Sequence, residues 1–266
     1  MTGTGLVYYE KSHRYKLDGE WAPGVTTLLS GGFPKPELPY WAARTVAEYV
    51  ADHPEDIEAL RAIGRGSMVQ ALKEVPWDRR DVAAQRGTEI HRYAERLGRG
   101  EQVDVPEELM PYVEACVAFL DTWRPEPLIV ERPVGHRAHW WAGRPDLIAK
   151  IPDRRTMLYD YKTGSGIYES FAYQLVAYSR AEFYVDDDGV EQPLPSIDLC
   201  AAVHLRPDGY DVVPVVGDYD AIYREFRHIA VVAAAAKRAR GSKTTPGYIG
   251  EPIRPPQVGE PNGVTA

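Results

Sequence analysis

Asp160 and Lys162 stand two residues apart in the run LYDYKTG, residues 158–164. On a β-strand, residues i and i+2 leave the same face, so this carboxylate and this ammonium would emerge side by side. Such a pair fits two descriptions. One is an exposed ion pair at a strand end, which contributes little to stability. The other is a metal-binding carboxylate beside a fixed positive charge, a combination suited to phosphodiester hydrolysis.

Three other groups of residues bear on the choice. In GRPDLIAKI, Asp146 opens an apolar strand, giving the spacing D-x13-D-x-K with Asp160 and Lys162. Antiparallel strands joined by a short connection bring opposite side chains within a few ångströms. Two carboxylates that close repel unless a proton or a cation lies between them. Oxygen-rich sites of this kind suit Mg2+ or Mn2+, and Lys162 would orient water or offset charge developing on phosphate. In RGTEIHRYAERLGR, Gly87 permits close backbone approach where a helix starts, with Thr88 as its N-terminal cap. His91 follows one turn later, among Arg86, Arg92, Arg96 and Arg99. A lone histidine is more often structural than a ligand, and the arginines suit either backbone phosphates or a solvated helix face. In YQLVAY, Gln174 and Tyr178 are i and i+4 on one helix face just past the KTG turn; alone they would be a surface pair.

Taken in order, G-x-x-x-H, G-x-P-D, D-x-K-T-G and Q-x-x-x-Y resemble the motifs of the PD-(D/E)XK nuclease superfamily, in its RecB-like exonuclease branch. That branch includes CRISPR-associated nucleases with iron–sulfur clusters and stand-alone phage nucleases. Gly87 to Tyr178 carry the specific match, and HRYKLDGEWAPGVTTLL resembles the N-terminal hairpin of the phage members. The resemblance implies His91, Asp146, Asp160 and the Tyr161 carbonyl as ligands of Mg2+ or Mn2+, and Lys162 as the catalytic lysine. It implies that Gln174 and Tyr178 contact DNA or position the scissile phosphate, and that Arg86, Arg92 and Arg96 are candidates for phosphate contacts. Glu131 stands where many relatives carry a glutamate on the first core strand, as a metal-assisting group or a plain edge charge. Implied partners are DNA, single-stranded or at duplex ends, and proteins of recombination or replication. Asp160→Ala or Lys162→Ala is expected to remove cleavage and leave folding largely intact. Tyr40, Trp41, Tyr49, Trp140 and Trp141 are candidates to stack on a frayed strand, although aromatics of this kind commonly belong to the core. Only Cys116 and Cys200 occur, so the four thiolates of an iron–sulfur cluster are missing and none is expected.

The elements that must position these residues follow from periodicity and turn signals. A chain of 266 residues buries a core comfortably. No apolar run is long enough to span a bilayer and no signal pattern opens the chain, so a cytoplasmic setting is expected. The net charge is −8, yet residues 61–100 hold nine basic and five acidic side chains. A local positive patch can hold phosphate on an acidic protein. LVYYEKSHRYKLD reads as a hairpin turning at Asp18-Gly19, residues 39–64 as one helix, and RRDVAAQRGTEIHRYAERLGRG and 106–123 as two more. Three β-rich runs follow (PLIVERPVG, WWAGRPDLIAKI, TMLYDYKTG), then a helix over SFAYQLVAYSRAEFYV. Two strands around Pro207-Asp208-Gly209 and a last helix from Asp218 complete the series. The organisation is an N-terminal β-hairpin over 1–30 and a helical region with the histidine motif over 35–125. The nuclease core spans 126–240, and a Gly/Pro-rich tail over 241–266 is expected to be disordered or to lie on the surface. The fold class is α/β (α+β), a central mixed sheet flanked by helices, with a restriction-endonuclease-like core implied by the resemblance.

Overall fold

A computed structural model describes residues 5–250 and 252. The chain opens with β1 (Leu6–Tyr9), β2 (Arg14–Leu17) and β3 (Glu20–Ala22), an antiparallel meander where a two-stranded hairpin was expected. Asp18 and Gly19 join β2 to β3 with φ of 50° and 85°. Positive φ at both turn residues matches the twist of the flanking strands, which is why Asp-Gly stands there.

Five helices follow: α1 (Val25–Gly32), α2 (Glu37–Asp52), α3 (Pro54–Ile63), α4 (Arg65–Gly98) and α5 (Met110–Trp123). The helix expected over 39–64 is two helices, because Pro54 lacks an N–H and its ring excludes the preceding turn; it serves α3 as a first-turn residue. The opposite correction applies at Gly87-Thr88. Helix α4 runs through them without a break, so Thr88 caps nothing. Its hydroxyl donates to the Ala84 carbonyl at 3.0 Å, inside the helix.

The β-rich part holds β4 (Glu126–Val130), β5 (Val134–His136), β6 (Trp141–Gly143), β7 (Leu147–Lys150) and β8 (Thr156–Lys162). After α6 (Glu169–Ser179) come β9 (Phe183–Val185), β10 (Glu191–Pro193), β11 (Leu199–Arg206), β12 (Gly209–Pro214) and α7 (Tyr219–Arg240). Three of the expected runs divide; WWAGRPDLIAKI breaks at Arg144-Pro145 into β6 and β7, which enter different sheets. PLIVERPVG breaks at Glu131, whose φ is 50°, and at Pro133, which has no donor for a ladder; β4 and β5 enter different sheets. The run that begins SFAYQ ends its helix at Ser179, and FYV becomes strand β9.

The main sheet has the order β12-β11-β8-β7-β4, with β11 and β8 parallel and the other pairs antiparallel. The mixed sheet flanked by helices expected from the sequence is therefore present. Strand β8 is central and buried from Thr156 to Tyr161, so it reads as a continuous apolar run with one charge inside it. Leu158 and Ala202 face a core shared with α1, α6 and α7. Met157, Tyr159 and Tyr161 face a second core shared with α4 and α5. A smaller sheet, β10-β9-β5-β6, lies beside the N-terminal meander, and Leu6, Leu17, Ala142 and Phe183 form a third cluster.

No described helix is long and apolar enough to cross a membrane. Of the expected tail, the part up to Gly250 is irregular; Ser242 and Thr245 form a turn, and Tyr248 N–H donates to the Ala239 carbonyl at 3.0 Å. Apart from Pro252, the rest lies outside the described residues.

Helices α1 and α7 cross at Gly32, where a Cβ would sit 2.2 Å from the Ile229 carbonyl oxygen. Backbone cannot yield as a side-chain tip can. Gly32→Ala is expected to force the helices apart and to cost about 1–3 kcal/mol, read as a lower midpoint in urea and thermal unfolding.

Candidate active site

The carboxylate of Asp160 is 2 % exposed, so the bland description of an open surface pair does not hold. Asp160 and Lys162 leave the same face of β8 toward α6 and form an ion pair through Oδ2 and Nζ. Gln174 of α6 completes a triangle: its Nε2 donates to Asp160 Oδ1 at 2.9 Å and its Oε1 accepts from Lys162 Nζ at 3.5 Å. A primary amide is suited to this place because it carries a donor and an acceptor together. Burial pulls the Lys162 ammonium down to about 8, against the pull of Asp146 in the other direction. Lys162 also lies over the Phe171 ring at 4.6 Å.

Asp146 sits one residue before β7, next to the pair Leu147–Tyr159 where the ladder with β8 ends. Its Oδ2 accepts from the Tyr161 N–H at 2.6 Å and faces His91 Nδ1 at 3.2 Å. Burial works against its charge, but His91, Lys162 and the Tyr161 N–H outweigh it and hold the carboxyl below its usual range. Glu131 joins them at the end of β4. One ligand atom each of His91, Glu131 and Asp146 lies within 4.8 Å of the others. These side chains come from α4 and from the ends of two strands. Asp160 stands outside this trio, because it points toward α6 while His91 arrives from α4 across the sheet.

Glu131 and Asp146 are the crowded carboxylates foreseen from the sequence, with Glu131 in the place given to Asp160. Burial, then repulsion from Asp146, pushes the Glu131 carboxyl up to about 9 in spite of Arg144. The carboxylates of Glu131 and Asp146 with the His91 imidazole are a donor set that fits a divalent cation, while the Asp160 Oδ2 has no hydrogen bond beyond the ammonium it faces. The Tyr161 backbone lies against Asp146, while its phenol points into the α4–α5 core.

Sequence reasoning missed Arg144. Its Nε donates to the Glu131 backbone carbonyl at 2.8 Å and faces Glu131 Oε2 at 3.0 Å. Its guanidinium also reaches toward Glu95 at 3.9 Å and Glu10 at 3.6 Å. Two signals could have found this cluster: the arginine inside G-R-P-D, and Glu95 one turn beyond His91 on the same helix face. Tyr178 is buried, and burial pushes its phenol well above the usual range. A Cβ on Gly143 would lie 2.2 Å from the Tyr178 ring, so the glycine of G-x-P-D and the tyrosine of Q-x-x-x-Y require each other. Gln174 is thus held between Asp160 and Lys162, Tyr178 packs at Gly143, and both side chains are buried.

The phosphate candidates diverge. Arg96 is engaged by Glu101 at 2.8 Å and Arg99 by Glu95 at 2.7 Å. Arg86 is half-buried over Tyr112, and Arg92 is exposed. Among the stacking candidates, Trp141 belongs to the core and donates to Tyr223 Oη at 3.1 Å. Tyr49 stacks on His53 and Trp41 is half-buried, while Tyr40 and Trp140 are exposed.

No family model and no curated protein matches the chain. Among solved structures it is similar to the crystal structure of SSO0001, at 12 % identity and a TM-score of 0.32, over 80 % of this chain and 75 % of that one. A likeness of that size carries no argument about fold or chemistry.

Glu131 supplies a test of the electrostatics that does not depend on turnover. The folded chain keeps its proton up to about pH 9, whereas the unfolded chain releases it near 4.5. Unfolding therefore releases a proton between those values, and this contribution to stability falls as pH rises through the window. Without divalent cations, Glu131→Gln is expected to match the parent near pH 4.5 and to exceed it at pH 8 by on the order of 3 kcal/mol. Urea unfolding in EDTA at the two pH values checks this. Gly143→Ala is expected to displace Tyr178 and lower the stability at every pH by about 1–3 kcal/mol.

Proposed function

We propose that this chain is a divalent-metal-dependent deoxyribonuclease, an exonuclease that hydrolyses DNA phosphodiesters in recombination, replication or repair of the phage type. One observation carries the reading: ligand groups of His91, Glu131 and Asp146 converge from three elements beside a buried carboxylate–ammonium pair. Buried charges gathered this way are costly, and such clusters concentrate where chemistry is done. The order of motifs resembling the RecB-like branch supports the choice of substrate and of exonuclease action.

In this reading Asp146, His91 and Glu131 would hold Mg2+ or Mn2+, with Asp160 fixing Lys162 rather than completing the trio. The cation would lower the pKa of an attacking water and offset charge on the phosphate. Lys162, fixed by Asp160 and Gln174, presents a positive charge that need not reorganise as the phosphate gains charge in the transition state. Arg144 holds Glu131 in place, and Gln174 sets the distance between Asp160 and Lys162. Tyr178 packs against the Gly143 backbone on the same helix as Gln174.

Labelled single- and double-stranded linear DNA and covalently closed circles, incubated with Mg2+, Mn2+ or EDTA, test the proposal. Linear DNA is expected to be degraded only with metal, and circles to be spared. Cutting of circles would make the enzyme an endonuclease; no cleavage with either metal would leave a DNA-binding accessory protein and sink the reading. Asp146→Asn is expected to lower the rate at least about a hundredfold. Burial changes what Asp160→Ala or Lys162→Ala would do, since each strands one buried charge at a cost of about 3–5 kcal/mol. The double variant Asp160→Asn/Lys162→Gln removes both charges, and is expected to stay folded by thermal unfolding while losing cleavage.

A further inference from the structure

A second feature lies outside the carboxylate cluster. Where the β5–β6 hairpin meets α7, a cleft of about 530 Å3 has Leu28, Trp141 and Phe226 among its apolar lining and Trp140, Arg224 and Arg227 at its polar rim. Arg224 and Arg227 are one turn apart on α7 and both are exposed. Among the described residues neither has a carboxylate within ion-pair distance, and no acidic side chain lines the cleft. In a chain of net charge −8, an acid-free cleft with two uncommitted guanidinium groups selects for an anion.

Trp140 identifies the kind of anion. Its indole is 38 % exposed at the cleft mouth. Its backbone is in the left-handed region, φ 52°, where glycine is the unstrained choice and a bulky side chain is unusual. The indole N–H donates to the Trp21 carbonyl at 3.4 Å, and Trp21 is itself exposed beneath Arg14, whose guanidinium lies 3.6 Å from the ring centroid. Aromatic planes alternating with cations bind single-stranded nucleic acid, because every base has a face to stack and every linkage a charge. A duplex turns its bases inward, so an indole finds a base face there only where steps are unstacked or ends are frayed.

We infer that this cleft is a binding subsite for one strand of nucleic acid, with a base on Trp140 and phosphates on Arg224 and Arg227. The inference rests on the proposed function for the nature of the substrate and adds where the strand runs. Strand β6 links the two places: Trp141 lines the cleft, and Arg144, three residues on, holds Glu131. Three residues of extended chain span about 10 Å, which is the length of backbone that ties the cleft to the turn holding the carboxylates.

Anisotropy of a labelled oligothymidylate in EDTA, where no cleavage enters, tests it on the full chain. Trp140→Ala and Arg224→Gln/Arg227→Gln are each expected to weaken binding about tenfold. The double arginine variant should also flatten the log–log salt dependence by about 1.4, for two phosphate contacts. Trp140→Gly relieves the left-handed backbone, so a folded variant with the indole removed is available even where alanine is poorly tolerated; it should show the same loss. Affinities within twofold of the parent in these variants would overturn the subsite. So would a polyglutamate that displaces the strand equally well from parent and Trp140→Gly, since that marks a surface selecting charge alone. Absent metal-dependent cleavage with these binding losses intact would sink the nuclease reading and leave the subsite standing. Normal cleavage with unchanged binding would do the reverse.

Discussion

The central strand of the main sheet carries a buried charge inside an otherwise apolar run, and much of the surrounding structure is arranged around that fact. Asp160 is flanked by Leu158 and Ala202 on its own face and cannot reach water. An isolated carboxylate there would be untenable. Lys162 two residues on neutralises it, Gln174 from α6 satisfies its second oxygen, and the ammonium pays in basicity by dropping to about 8. The chain leaving Lys162 is fixed in turn, because the Gly164 carbonyl accepts from His204 Nε2 at 2.8 Å on the parallel strand β11. Each partner comes from a different element, so helix α6 and strand β11 must dock correctly for the charge to be tolerated.

The second carboxylate site follows another logic. Asp146 is kept ionised by donors that stand ready for it, whereas Glu131 beside it is pushed toward its neutral form. Of these two neighbouring acids Glu131 is the one that favours its proton, and a divalent cation bound there would displace it. Arg144 limits the repulsion by anchoring Glu131 at both its backbone and its side chain. The N-terminal meander contributes here as well: Tyr8 lies 5.2 Å from the Arg144 guanidinium, so the small sheet braces the turn that carries the carboxylates.

Close approach is the remaining constraint, and glycines provide it. The Tyr178 ring packs on Gly143, where an added Cβ would collide with it, and Gly87 brings α4 to Thr163, whose Oγ1 would be 3.3 Å from an added Cβ. Through these contacts the helix bearing His91 and the helix bearing Gln174 both come within reach of strand ends. The outward side of the same framework carries the arginines and indoles of α7 and the β5–β6 hairpin, away from the acidic cluster but tied to it by β6.

Local sequence determined a good deal. The Asp18-Gly19 and Pro207-Asp208-Gly209 turns, the terminal helix capped by Asp218 and the alternation that puts Asp160 and Lys162 on one face all depend on neighbours in the chain, and all were legible. Boundaries ruled by longer competition were not. Pro54 split a helix that periodicity alone would continue, while Gly87-Thr88 failed to start one because the helix already running through them was stabilised by its packing on α5 and the sheet. Likewise D-x-K and G-x-P-D could be read as a pair of facing carboxylates, but not which carboxylate would face His91. That depended on the two faces of the sheet. Asp160 looks toward α6, His91 comes from α4, and Glu131, an edge residue in the sequence, is the acid that the end of β4 delivers to Asp146. Residue types and their spacing are set by the chain; which distant groups share a desolvated space is decided only when both faces of the sheet are covered.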